Sequence, residues 1–140
     1  MAANGYTSGS IERNKDGNYV GNLTIEGIDL SPVQGVLFSK EGKNYLWLRR
    51  CDKVVYDPDT NTYSKKKREP RLEAYLEKQM DGNVVAYKGE FFFLRFRFSI
   101  CAVWDSVLGI DTNRMNLFVD RMPQQSQTII NNIANRKHGK

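Results

Sequence analysis

The sequence is poor in the residues that build metal and redox centres. Its 140 residues include one histidine, His138, and two cysteines, Cys51 and Cys101. An ordinary zinc site needs several Cys or His ligands at close spacing and a redox pair needs C-x-x-C, so neither is present and both cysteines are expected as reduced thiols. With its only histidine in a polar tail, the chain has no Ser-His-Asp set. It also lacks G-x-x-x-x-G-K-[ST], G-x-G-x-x-G and H-E-x-x-H. Glu90, Asp105, Asp111 and Asp120 are scattered, and such residues at strand ends are turn formers or solubilisers more often than magnesium ligands. No catalysis, metal or cofactor is therefore expected. Asp57-x-Asp59-x-Asn61 opens like a calcium loop but has Thr62 where that loop needs Gly and Arg68 where it needs a bidentate Glu. No stretch nears the roughly 18 apolar residues of a membrane span. The opening Met-Ala-Ala-Asn-Gly-Tyr-Thr-Ser-Gly-Ser has neither the basic nor the apolar region of a secretion signal, so a cytoplasmic protein without a membrane partner is expected.

What the chain does have is a modest positive surplus, 21 Lys and Arg against 16 Asp and Glu, giving +5 and a pI near 9.2. That balance favours an acidic partner such as nucleic acid. Residues 1–35 hold Arg13 and Lys15 against Glu12, Asp16, Glu26 and Asp29, so the surplus lies further along. The length suits one domain with a continuous core, and 40% hydrophobic with 26% charged residues is a globular balance. The expected organisation is a disordered tail over residues 1–10, one β-rich domain over 11–122, and a C-terminal tail or short helix over 123–140.

The longest uninterrupted run, residues 91–104, has no Gly, Pro, Asn or Asp and is rich in aromatic and β-branched types, which predicts a long strand or a strand with one bend. Strand side chains alternate, placing Phe92, Leu94, Phe96, Phe98, Ile100, Ala102 and Trp104 on an apolar core face. Phe91, Phe93, Arg95 and Arg97 fall on the opposite face. Residues 44–51 repeat the layout, with Leu46 and Leu48 on one side and Tyr45, Trp47, Arg49 and Cys51 on the other. Further strands are expected over residues 10–14, 19–30, with a bend or bulge at Gly27, 33–39 and 113–122. A hairpin is expected over 53–64 with its tip at Asp57-Pro58-Asp59-Thr60-Asn61.

Pro70 at a first helical position, followed by Leu72, Tyr75, Leu76, Gln79 and Met80, predicts a helix over residues 70–80. Ile129, Ile130 and Ile133 allow a short amphipathic helix near the C-terminus. The fold expected is mainly β: a strongly bent antiparallel sheet or small OB-like barrel, with the helix at 70–80 and the short C-terminal one.

Arginine neutralises phosphate and aromatic planes stack on unpaired bases. Tyr45, Trp47, Phe91 and Phe93 are thus candidates for stacking, and Arg49, Arg95, Arg97 and the run Lys65, Lys66, Lys67, Arg68 for phosphate contacts. The function expected is non-catalytic binding of single-stranded nucleic acid, DNA or RNA, with low sequence specificity. The bland alternative buries Phe91 and Phe93 under another layer with the arginines at its rim. A rival function is a small protein-interaction module using the same surface, because Tyr, Trp, Phe and Arg are also enriched at protein interfaces. A homodimer fits either function, since a long apolar strand with an open edge seeks a pairing partner.

Overall fold

The computed structural model describes residues 7–105 and 113–123. Its corners are set by two-residue turns in which both residues have positive φ. These are Glu26 and Gly27 (50° and 84°), Glu41 and Gly42 (53° and 79°), and Leu94 and Arg95 (50° and 77°). Such turns match the right-handed twist of paired strands, so each makes a tight hairpin.

The strands are β1 Gly9–Arg13, β2 Tyr19–Ile25, β3 Ile28–Asp29, β4 Val33–Lys40, β5 Lys43–Arg50, β6 Lys53–Asp57, β7 Thr62–Lys66, β8 Glu73–Asp81, β9 Val84–Phe93, β10 Phe96–Trp104 and β11 Arg114–Arg121. Eight of them form a closed antiparallel barrel. Its spatial order, β1, β2, β4, β5, β8, β9, β10, β11 and back to β1, follows the chain order. The small closed barrel expected from the sequence is present, and its connectivity is up-and-down. Two short excursions leave the ring: β3 folds back on β2, and β6 pairs only with β7.

Closure depends on the seam between β1 and β2. A Cβ at Gly21 would lie 1.8 Å from the Ser10 carbonyl oxygen, and one at Gly9 would lie 2.0 Å from that of Asn22. Only glycine lets these backbones approach so closely. Where β1 starts, Ser8 stitches its neighbours together: its N–H donates to Leu117 O at 2.7 Å, and its Oγ accepts from Val119 N–H at 2.9 Å. Beyond that point Arg121 reaches across to Glu26, Nε to Oε2 at 2.8 Å, with its guanidinium carbon 3.7 Å from the Phe96 ring centre.

Side chains from every strand of the ring fill the interior, including Ile11, Leu23, Leu46, Leu48, Leu76, Ile100, Met115 and Leu117. The alternation expected for β5 is the one observed, and the strands expected near β2 and β11 likewise turn Tyr19, Leu23 and Ile25, and Met115 and Leu117, inward. Three expectations are corrected. Residues 73–81 are strand β8, not a helix: Ala74 and Leu76 point inward while Tyr75 faces out. The short apolar run fits both periods, and pairing with β5 (Leu48 with Ala74, Leu46 with Leu76) satisfies the backbone of both strands, overriding local helix preference. Residues 19–30 are likewise divided, by the Glu26-Gly27 turn. The run 91–104 is also two strands, not one. The turn at Leu94-Arg95 pairs Phe93 with Phe96, so the inward positions change from odd to even there. Phe91 and Phe93 are accordingly core residues, 6% and 3% exposed, while Phe92 is 72% exposed.

β1 begins at Gly9, so the barrel takes in residues assigned from the sequence to the leading tail. The short helix expected in the C-terminal tail lies outside the described residues. No helix long and apolar enough to cross a membrane occurs among them.

Candidate functional site

The outer faces of β4, β5 and β8 lie side by side, and their alternation brings aromatic residues from all three strands together. Phe38 comes from β4, Tyr45 and Trp47 from β5, and Tyr75 from β8. Register explains the neighbours: Phe38 pairs with Tyr45, and Trp47 with Tyr75. The Trp47 and Tyr75 rings are nearly parallel, 7° apart with centres 6.1 Å apart. Phe38 stacks with Tyr45 at 5.3 Å and meets Tyr75 edge-on at 6.3 Å. With Val36 and Lys40 these rings line an open hollow of about 600 Å³. Tyr75 is 56% exposed, so this is a solvent-facing platform rather than a second core.

A second, smaller cleft of about 290 Å³ adjoins it, with Trp47 lining both. Here the chain leaves β5 toward the hairpin formed by β6 and β7, hereafter the arm, and returns from it through residues 67–72. Arg49, Arg50, Lys67, Arg68 and Arg71 line the cleft, together with Asp52 and Glu73. Arg50 is fixed by backbone carbonyls, donating from Nε to Leu30 O at 2.9 Å and from Nη1 to Pro70 O at 3.1 Å. Arg49 makes longer contacts, from Nη1 to Asp52 Oδ1 and from Nη2 to Gln34 Oε1, both 3.4 Å, with its guanidinium carbon 5.3 Å from the Trp47 ring centre. Trp47 Nε1 donates to Glu73 Oε2 at 2.7 Å, which fixes the indole plane. The Nε atoms of Arg49 and Arg68 are buried and have no acceptor. Burial pushes the Cys51 thiol up, while the charges of Arg49 and Arg68 act in the opposite direction.

No protein-family model, curated protein or solved structure matches this chain. Its function is therefore read from the geometry of the site.

Of the residues singled out from the sequence, Tyr45, Trp47, Arg49, Lys67 and Arg68 come together here. Lys65 and Lys66 stand exposed on β7, at the root of the arm. Phe91 and Phe93 are removed from the candidate surface, because both rings are packed inside the barrel against Phe98. Arg95 is exposed in the turn. Arg97 lies on the outer face of β10, ion-paired with Glu90, its guanidinium carbon 6.0 Å from the Phe92 ring centre. Between β5 and β10 lie β8 and β9, a separation of about 14 Å along the sheet. Arg95 and Arg97 thus belong to another part of the surface.

Sequence reasoning missed Phe38, Tyr75 and Arg71. Alternation of Val36 and Phe38 along β4 was a readable signal for the first. Tyr75 was hidden by the helical reading of its segment. The Asp57, Asp59 and Asn61 side chains and backbone at the arm tip bond locally, with Asp57 Oδ1 accepting from Asp59 N–H at 3.0 Å and Asn61 Oδ1 from the Tyr56 hydroxyl at 2.8 Å. Among the described residues no group of His, Cys, Asp and Glu forms a candidate metal site.

Proposed function

We propose that this protein binds single-stranded nucleic acid without catalysing a reaction, stacking bases on the platform of Tyr45, Trp47 and Tyr75 and holding phosphates with Arg49, Lys67, Arg68 and Arg71. One observation carries the reading: the parallel pair of half-buried Trp47 and exposed Tyr75 adjoins a cleft lined by five cations. Exposed aromatic planes beside a cationic groove are the arrangement single-strand binders use, because every base offers a π-face and every nucleotide a phosphate. Alternate residues on one face of β5, namely Lys43, Tyr45, Trp47 and Arg49, are spaced by about 7 Å. Charge therefore stands at both ends of the aromatic stripe. Specificity for base sequence is low in this reading, since stacking and phosphate contacts carry little base information. The proposal places the protein in the cytoplasm, where thiols stay reduced.

A second reading, docking on another protein through the same surface, is favoured by one observation: Glu73 and Asp52 stand within the cationic cleft. A homodimer through this face is a form of that reading.

Fluorescence separates the two. Trp104 packs against Tyr19 and Tyr87, with ring centres 5.8 and 6.5 Å away, so Trp47 is the tryptophan that reports on the platform. Titrating a 20-nucleotide single strand is expected to quench Trp47 saturably at moderate salt, more strongly than a duplex does. Trp47→Ala is expected to weaken binding about tenfold, the loss of one stacked base. Equal responses to strand and duplex that both vanish as salt rises would favour the protein-docking reading.

A further inference from the structure

The cleft beside Trp47 holds more positive charge than a backbone phosphate needs. Five cations face two carboxylates, a surplus of three. An internal phosphodiester carries one negative charge. A terminal phosphomonoester carries about −1.5 to −2 near neutral pH and offers three strong acceptor oxygens. Guanidinium groups such as those of Arg49, Arg68 and Arg71 suit a charged acceptor with several oxygens best.

Position points the same way. The outward stripe of β5 runs Lys43, Tyr45, Trp47, Arg49 and then stops, because after Arg50 the chain departs for the arm. Residues 67, 68 and 71, returning from the arm, supply the other cations of the cleft. The platform thus leads into a pocket at one end rather than continuing as a groove. Trp47 lines both spaces, so a base stacked on it has its own phosphate at the cleft.

We infer that the cleft is a terminal-phosphate site, taking the phosphomonoester at one end of a single strand whose last base stacks on Trp47. The inference rests on the single-strand reading above and deepens it by naming which phosphate is held. Arg68 and Arg49 are the residues that recognise the dianion, and Lys67 and Arg71 add charge from the exposed rim.

The test compares one 12-nucleotide strand in three forms, with hydroxyls at both ends, with a 5′-phosphate and with a 3′-phosphate, by fluorescence anisotropy of an internal label at moderate salt. One of the two phosphorylated forms is expected to bind at least about tenfold more tightly than the hydroxyl form, as charge-assisted hydrogen bonds warrant. Arg68→Ala, and separately the exposed pair Lys67→Ala with Arg71→Ala, are expected to weaken all three strands but the phosphorylated one most, so that its advantage over the hydroxyl strand falls to about onefold. Far-UV circular dichroism checks that each variant keeps the barrel. A mononucleotide carries the same phosphomonoester and is expected to bind roughly a hundredfold more weakly than the phosphorylated strand, lacking the rest of the platform contacts. Equal binding of all three strands overturns the terminal site and leaves the single-strand reading standing. A gain that survives in both variants also overturns it. A mononucleotide that binds as tightly as the phosphorylated strand replaces the strand-end site with a nucleotide site. If no strand binds in any form, the single-strand reading falls and the inference with it.

Discussion

Phe91, Phe92 and Phe93 are chemically identical, yet they occupy two environments, the outer two sealed in the barrel and the middle one on its surface. Removing a buried phenylalanine costs about 3–5 kcal/mol, the forfeited transfer energy plus the cavity left behind. Phe91→Ala and Phe93→Ala are expected to destabilise the fold by that amount in urea melts, whereas Phe92→Ala stays within about 0.5 kcal/mol. A large loss from Phe92→Ala would mean that its ring is covered. The ion pair at the barrel seam provides a pH test. A hydrogen bond from Arg121, supported by its charge and opposed by desolvation, holds Glu26 below the usual glutamate range. A carboxylate with a depressed folded pKa adds stability above its unfolded value and loses it as pH falls through the folded one. Wild type is therefore expected to melt above Glu26→Gln at neutral pH, with the advantage shrinking between about pH 5 and pH 3. Parallel Tm curves across that range would show that the pair contributes nothing. Both side chains are exposed, so the difference is small.

At the scale of elements, the arm is separable from the barrel. Its strands pair only with each other, its tyrosines Tyr56 and Tyr63 meet across the hairpin with centres 4.9 Å apart, and its root carries Lys65 and Lys66. A lone two-stranded hairpin adds little stability. Replacing residues 54–66 with a Gly-Ser-Gly link is expected to move the Tm by less than about 3 °C, under 1 kcal/mol at this size. If Lys65 and Lys66 touch phosphate, the plot of log affinity against log salt becomes shallower by about 0.7 for each phosphate left without its lysine. An unchanged slope would show that the arm stands clear of the strand. β5, β2 and β11 were legible in the sequence because each alternates cleanly over several residues, one face apolar throughout. β8 was not, since Leu72 and Leu76 satisfy a helical repeat and a strand repeat equally well. Nor was the turn at Leu94-Arg95, which has neither the Gly nor the Asn that such turns favour and is imposed by pairing of the flanking strands. The candidate site was half legible for the same reason. Its β5 residues lie on one strand, whereas Phe38 and Tyr75 join them only through register.

At the scale of the whole molecule, the ring has hydrogen-bonded strands on every side, and its first and last strands are neighbours: Gly9 pairs with Leu117 and Ile11 with Met115. An order of strands is fixed in such a ring, but an origin is not. The backbone is thus suited to circular permutation, which succeeds where chain ends lie close together and new ends fall in exposed loops. A permutant that joins residue 123 to residue 7 through about six Gly and Ser residues, and opens between Asp59 and Thr60 at the arm tip, is expected to refold with the native near-UV signature of Trp104. Failure to refold would mean that β1 must be made before the strands it closes. Success would make the place where synthesis starts an accident of the gene rather than a requirement of the barrel.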